Sequence, residues 1–143
     1  MTYISKTIKI EHFPVLGKNC FRFEFMGELN EKFSQGACLA WEKEFEKANP
    51  TSKYTLVWDC LSMTGFDLAS KTEWMETLNL LEDKIEKVIV IAKEPSIRDV
   101  VQMMLKLFAF ETRLVKSYGD INLKRRRINN QLFNEGLSNF LIF

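Results

Sequence analysis

The spacing of apolar and polar residues along the chain predicts strands and helices in alternation. Two early segments alternate with a period of two, which is typical of strands with one face exposed to water. Later segments place apolar residues three or four positions apart, which is typical of amphipathic helices. The predicted strands cover residues 4–11, 21–25, 54–58, 87–92 and 111–115; the predicted helices cover residues 29–48, 68–85, 95–108 and a terminal segment beginning at Ile121.

The predicted order of elements is β-β-α-β-α-β-α-β-α. Strands that alternate with long helices are joined by right-handed crossovers and form a parallel sheet, whereas the two opening strands are close enough for an antiparallel hairpin. We therefore expect a single α/β domain with a mixed, mostly parallel sheet of about five strands and helices packed on the sheet.

Composition and charge argue against several classes of protein. Hydrophobic residues make up 46% and charged residues 27% of the 143 residues, which excludes a disordered chain. The 20 basic and 19 acidic side chains leave a net charge of +1, which argues against a nucleic-acid partner. The start of the chain has no signal-peptide pattern, and no apolar run is long enough for a membrane span. We expect a cytoplasmic protein.

Three cysteines occur at Cys20, Cys38 and Cys60. An odd number without the paired spacing of a metal site indicates neither a disulfide framework nor a zinc site. We interpret the three thiols as reduced and buried in the core.

The sequence contains no motif of a known catalytic class, and the single histidine, His12, follows a strand with no nucleophile motif near it. Asp59 and Asp67 flank one predicted loop and could form a carboxylate pair at the carboxyl edge of a parallel strand. The structural alternative is that Asp59 ties the loop and Asp67 caps the next helix, as Asn30 is placed to cap the first helix. We favour that alternative and predict no enzymatic activity, no cofactor and no metal.

Three segments carry short motifs in a fixed order. Phe25–Asn30 is similar to G-E-L-D, Leu56–Asp67 to a strand followed by D-L-S and a short loop, and Val88–Ala92 with Ser96–Phe108 to a strand followed by a helix. Together they resemble the STAS domain family in its SpoIIAA-like branch, in which that strand and helix are the penultimate ones. The resemblance covers residues 4–120. We accordingly predict a STAS-like domain over residues 1–120, followed by a basic segment over residues 121–143.

The resemblance implies a non-catalytic switch. In anti-sigma-factor antagonists a partner kinase phosphorylates the first serine of a D-S-S-G motif at the start of a helix. Here Asp67 is retained, but Leu68 stands at the acceptor position and cannot carry a phosphoryl group. The nearby hydroxyls are those of Ser62, Thr64 and Ser70, of which Ser70 is our candidate acceptor. The alternative for each is loop or helix capping.

We expect a protein partner to bind around the tip, defined as residues 60–71. Trp74 lies off the apolar stripe of the second helix, as do Leu80 and Phe110 on theirs, so we predict that Trp74 is partly exposed and contacts the partner. The predicted partner-binding residues are Ser62, Thr64, Asp67, Leu68, Ser70, Lys71 and Trp74.

The segment after residue 120 is basic. Lys124, Arg125, Arg126 and Arg127 stand together, and the chain closes with the apolar residues 140–143. One interpretation is a helix that packs on the sheet with its basic face in water. The other is contact with an acidic lipid surface, or pairing of the apolar end with a second subunit in a homodimer.

A different class of function stays open at this point. Methionine-rich surfaces adapt to varied apolar ligands. Met103, Met104, Leu107 and Phe108 are close together in the third predicted helix. A carrier or sensor that holds a small apolar ligand or lipid under these residues is the alternative to a docking module.

Overall fold

The computed structural model describes residues 2–121, and the first three strands of its sheet are antiparallel: β1 (Thr2–Ile4), β2 (Ile8–His12) and β3 (Cys20–Leu29). The sequence pattern predicts one strand over residues 4–11, but the chain turns at Ser5. The Ser5 amide donates to the Ile8 carbonyl at 2.9 Å, and the Ser5 hydroxyl accepts from the Ile8 amide at 3.1 Å. This turn adds a sixth strand to the predicted sheet.

The remaining strands are parallel to β3 and to one another, and the sheet order follows the chain order from β1 to β6. The strands are β4 (Tyr54–Phe66), β5 (Ile85–Ile91) and β6 (Glu111–Val115). The connecting helices are α1 (Glu31–Glu46), α2 (Leu68–Leu81) and α3 (Pro95–Leu105), and α4 (Tyr118–Ile121) follows β6. The mixed α/β sheet with its antiparallel start is confirmed.

Helix α2 is shorter than the spacing of apolar residues predicts. It ends at Leu81, a 3-10 turn covers Glu82–Lys84, and Ile85 is the first residue of β5. Ile85 falls at helical spacing after Leu81, so the period of the pattern does not distinguish the last helical turn from the start of the strand.

An aromatic core lies between the sheet and helices α1 and α2. Phe23 and Phe25 of β3 and Trp58 of β4 meet Trp41 of α1 and Trp74 of α2. Ring centroids in this cluster lie 5.0 Å apart for Phe23 and Trp41, and 5.3 Å apart for Phe25 and Trp74, both in edge-to-face geometry. Such aromatic pairs contribute about 0.5–1.5 kcal/mol each beyond the area they bury.

The opposite face of the sheet carries a smaller apolar cluster. Val57, Ile89 and Ile91 lie there, packed with Phe13 and with Tyr118 of α4. Alternate residues of β4 and β5 therefore serve two cores, which is why residues 88–91 of β5 are all apolar.

All three cysteines are buried and free, as predicted. Burial raises the pKa of the Cys38 thiol to about 12, and burial followed by the charge of Asp59 raises the pKa of Cys60. Because the thiolate is the reactive form, we expect negligible reaction of the native protein with Ellman's reagent at pH 8 and three reactive thiols after unfolding. Rapid labelling of any thiol under native conditions would contradict this packing.

Candidate functional site

The tip is built from strand and not from the predicted loop. β4 continues to Phe66 and pairs with β3 as far as Leu29, whereas β5 pairs with β4 only as far as Asp59. β2 pairs with β3 only as far as Phe25. The ends of β3 and β4 therefore form a two-stranded parallel ribbon that extends past both neighbouring strands.

Two β-bulges interrupt this ribbon. One follows Asp59 and the other lies at Thr64, and each gives β4 one residue more than β3. On the β3 side, Gly27 adopts a positive φ of 68°, a conformation that glycine takes without the steric cost of a Cβ. Bulges re-aim side chains and are common beside functional sites. Their effect here is to break the period of two, which explains why residues 60–67 resemble a loop in sequence.

Asp67 caps helix α2, as favoured from the sequence. Its Oδ1 accepts the Ser70 amide at 2.7 Å. Ser70, through its side chain and then its amide, lowers the pKa of Asp67 below the ordinary value. Asn30 begins α1 in the same way, accepting the Phe33 amide at 3.0 Å. Both predicted helix caps are thus confirmed.

Asp59 is buried on the face of the sheet opposite the aromatic core. Its Oδ1 accepts the Leu61 amide at 3.0 Å and so holds the first bulge of the tip. Its Oδ2 accepts the Tyr118 hydroxyl at 2.6 Å and Arg22 Nη2 at 3.2 Å. The carboxylate therefore has the tying role that the structural alternative predicted, with one partner in its own strand and two partners on other segments, β3 and α4.

A polar cluster is centred on Arg22. Asp59 and Tyr118 are its buried members, and Glu11, Arg22 and Glu24 are half-buried. Arg22 Nη1 lies 3.0 Å from Glu11 and Nη2 lies 3.5 Å from Glu24, while Nε donates to the Tyr118 hydroxyl at 2.5 Å. Burial works against the Arg22 charge, but Tyr118 and the carboxylates outweigh it and raise its pKa. Burial and then Asp59 raise the pKa of Tyr118, so its hydroxyl keeps its proton and donates it to Asp59.

The alternation of apolar and polar residues does not indicate this cluster, because Arg22 and Glu24 alternate with phenylalanines and resemble a face in contact with water. A signal was present at Asp59, since a carboxylate within an apolar strand needs a buried partner. The alternation could not show that Tyr118, 96 residues after Arg22, supplies part of that environment.

Several predicted site residues do lie on the surface of the tip. Leu68, at the first position of α2, is 77% exposed, and Leu61 is also exposed. Ser62, Thr64 and Asp67 are exposed beside them. The tip therefore presents two exposed leucines and two exposed hydroxyl side chains within one short stretch of chain.

The structure contradicts two predicted roles. Ser70 is fully buried, so it is not accessible to a kinase while the first turn of α2 is folded. Trp74 is 4% exposed and its Nε1 donates to Ser34 Oγ at 3.1 Å. Helix α2 packs against both the sheet and α1, and its buried face is therefore wider than one apolar stripe. Phe110 is buried as well, whereas Leu80 is exposed.

An apolar cavity of about 30 Å³ lies beneath the tip, between α2 and α3. Among residues 2–121, Lys71 is the one charged residue of its lining, which also includes Phe25, Leu29, Trp58, Cys60, Met63, Phe66, Trp74, Val101 and Met104. A cavity that binds benzene measures about 150 Å³. The space in this structure is therefore too small for an apolar ligand of that size.

The predicted ligand-holding residues of α3 do not share this cavity. Met104 lines it and is buried, but Met103 and Leu107 are exposed to solvent. Phe108 instead lines a groove between α3 and β6. The prediction that these four residues cover one ligand is wrong. Met103 and Met104 are consecutive in α3 and therefore face different directions, and α3 ends at Leu105, so Leu107 and Phe108 lie beyond the helix that was predicted to carry them.

The predicted basic segment lies outside the described residues, and with it Lys124, Arg125, Arg126 and Arg127. Lipid contact through this segment stays a prediction. Within residues 2–121, no helix combines the length and the apolar character that crossing a membrane requires.

Comparison with known proteins identifies the fold. No protein-family model and no curated protein sequence matches the chain. A crystal structure of an uncharacterized DUF3478-family protein from Shewanella loihica, described as having a SpoIIAA-like fold, aligns with a TM-score of 0.64 and 13% identity. The alignment covers 84% of this chain and 91% of that one.

The anti-sigma factor antagonist SpoIIAA in its unphosphorylated form is similar as well. It aligns with a TM-score of 0.51 and 12% identity, over 85% of this chain and 98% of that chain. The chain therefore has the STAS-like, SpoIIAA-like fold that its sequence motifs predicted.

Proposed function

We propose that this protein is a non-catalytic cytoplasmic regulatory module that binds a partner protein through the tip. The observation that carries the proposal is Leu68, an apolar side chain 77% exposed at the start of α2. Leu61 is exposed on the neighbouring ribbon. When a partner covers apolar side chains that a rigid scaffold holds in water, their burial stabilises the complex.

The ribbon adds a backbone surface to these leucines. Beyond Asp59, β5 no longer pairs with β4, so one side of residues 60–66 has no strand beside it within the described chain. Unpaired backbone groups at such an edge are donors and acceptors for a partner segment. The bulge at Thr64 limits this edge to short contacts and favours a specific docking segment over a long added strand.

The likeness to SpoIIAA supports a regulatory role for the same surface. That protein is an anti-sigma factor antagonist, and its structure is of an unphosphorylated form. Leu68 gives this chain an apolar group at the position that the family motif assigns to a phosphorylated serine. The tip therefore binds without a phosphate at this position, and regulation through a hydroxyl would act at the exposed Ser62 or Thr64.

The two exposed leucines of α2 provide a matched test. A photo-reactive phenylalanine analogue placed at Thr64 reports contact with the tip in cells of the source organism. Leu68→Ser should reduce the cross-linked product, since losing a buried leucine costs about 2 kcal/mol, or about thirtyfold in Kd. Leu80→Ser removes a leucine that is 67% exposed at the other end of α2, and it should leave the yield unchanged.

Two results would contradict the proposal. One is equal loss of product in both variants, which indicates non-specific contact. The other is an unchanged yield in Leu68→Ser. Both side chains are exposed and contribute little to the core, so we expect each variant to stay folded. A thermal melt of each variant verifies this.

A further inference from the structure

The last strand leaves a regular edge open in the described part of the chain. β6 pairs with β5 in parallel register without a bulge, and no strand among residues 2–121 lies on its other side. The Val115 carbonyl accepts the Ala92 amide at 3.0 Å, so the backbone polar groups of Val115 face β5. Since these groups alternate in direction along a strand, those of Thr112 and Leu114 point outward.

The other strand edges within residues 2–121 suit pairing less well. β1 is only three residues long, and the free side of β4 beyond Asp59 contains two bulges. The side of β3 that β2 leaves after Phe25 is short as well, since β3 ends at Leu29, and it includes Gly27 at a positive φ. Short strands and bulges are the devices by which proteins block edge-to-edge association. β6 has neither device over its five residues.

A groove of mixed polar and apolar character runs beside this edge, on the side of the sheet that carries α3. Its volume is about 280 Å³. Its apolar lining includes Phe108, Phe110 and Leu114, and its polar lining is Gln102, Lys106 and Thr112. The rings of Phe108 and Phe110 are stacked, with centroids 5.4 Å apart and planes inclined by 7°. The groove and the open backbone groups together form one surface with apolar and hydrogen-bonding parts.

We propose that this surface pairs with the same surface of a second copy, through antiparallel contact of β6 with β6 about a two-fold axis at Thr112. Outward-facing residues must meet outward-facing residues across the new ladder. Thr112 then lies opposite Thr112 of the second copy, and Leu114 lies opposite Phe110 of the second copy. That apolar pair extends the lining of the groove.

Charge selects this register among those that the hydrogen-bond pattern allows. Pairing at Thr112 places Glu111 opposite Arg113 of the second copy, and the symmetry repeats this pair of opposite charges. Within its own chain the Arg113 guanidinium donates to the Asp120 and Ile121 carbonyls. A shift by two residues places either two arginines or two glutamates opposite each other, which is unfavourable. Glu111 is exposed and lies 3.1 Å from Lys87 of its own chain, so its carboxylate is held on this face of the sheet.

Cross-linking tests the register directly. In a hydrogen-bonded antiparallel pair the Cα atoms lie about 5.5 Å apart, within the range for a disulfide. Thr112→Cys should therefore form a covalent dimer under mild oxidation. Leu114→Cys is the control, because the two copies of residue 114 would be separated by about 13 Å. The three native cysteines are buried and do not compete.

Charge reversal tests whether the partner is a second copy of this chain. Sedimentation equilibrium of the full chain should give a mass twice that of the 16.8 kDa protomer. Glu111→Arg and Arg113→Glu should each weaken dimerisation about tenfold by opposing like charges. Mixing the two variants should restore the dimer, because each cation then faces an anion.

The proposal is overturned if the full chain sediments as a monomer throughout the concentration series. It is overturned equally if Thr112→Cys and Leu114→Cys cross-link at the same rate, or if the mixture of charge variants associates no better than either alone. A far-ultraviolet circular dichroism spectrum and thermal melt of each variant identify any loss of fold.

Discussion

Replacing Trp74 by alanine should lower the free energy of unfolding by about 3–5 kcal/mol, the usual cost of deleting a buried tryptophan side chain. Trp74 is 4% exposed and its ring contacts Phe23, Phe25, Trp41 and Trp58. The truncation leaves a cavity where α1, α2 and the sheet meet. Urea denaturation followed by fluorescence or circular dichroism measures the change.

Two variants separate the causes of this loss. Trp74→Phe keeps much of the ring area but leaves Ser34 without the donor 3.1 Å away, so about 1–2 kcal/mol of destabilisation is expected. Leu80→Ala alters an exposed leucine of the same helix and should change stability by no more than about 0.5 kcal/mol. If Trp74→Ala behaved like Leu80→Ala, Trp74 would be a surface residue and the packing of α2 would be wrong.

Replacing Asp59 by asparagine should lower the free energy of unfolding by about 3 kcal/mol, near the lower end of the range for removing one member of a buried ion pair. The substitution preserves shape but removes the charge that faces Arg22 Nη2 at 3.2 Å and Tyr118 at 2.6 Å. Glu11 and Glu24 still face Arg22, which keeps the cost from rising higher.

Other variants within the polar cluster test whether Asp59 contributes more to stability than its half-buried neighbours. Glu24→Gln removes a longer, part-exposed ion pair of 3.5 Å and should cost no more than about 1 kcal/mol. Tyr118→Phe removes a buried donor and should cost about 1–3 kcal/mol. A double-mutant cycle of Asp59→Asn with Tyr118→Phe should show coupling of about 1 kcal/mol or more. Equal effects of Asp59→Asn and Glu24→Gln would contradict the burial of Asp59.

The polar cluster also connects distant parts of the protein. Asp59 holds the first bulge of the tip through Leu61 and at the same time accepts the hydroxyl of Tyr118 in α4. Asp59 therefore links α4 directly to the start of the tip. Of the two exposed leucines of the tip, Leu61 is held through its amide by this carboxylate.

Local periodicity was enough to predict the order of elements, the mixed sheet and both helix caps. Each of these features depends on residues a few positions apart, such as Asn30 with Phe33 and Asp67 with Ser70. The motif around Gly27 also predicted the fold, and its positive φ supplies the physical reason for glycine there.

Features that depend on contacts between distant parts of the chain could not be predicted from local periodicity. The ribbon from Cys60 to Phe66 owes its strand conformation to pairing with β3, because its two bulges remove the alternation by which a strand is recognised. Trp74 is buried because α2 is covered by α1 as well as by the sheet. Arg22 resembles a surface residue in sequence, yet it is enclosed by carboxylates and by Tyr118 from α4. These side chains are far apart in the chain and become neighbours only when the sheet assembles.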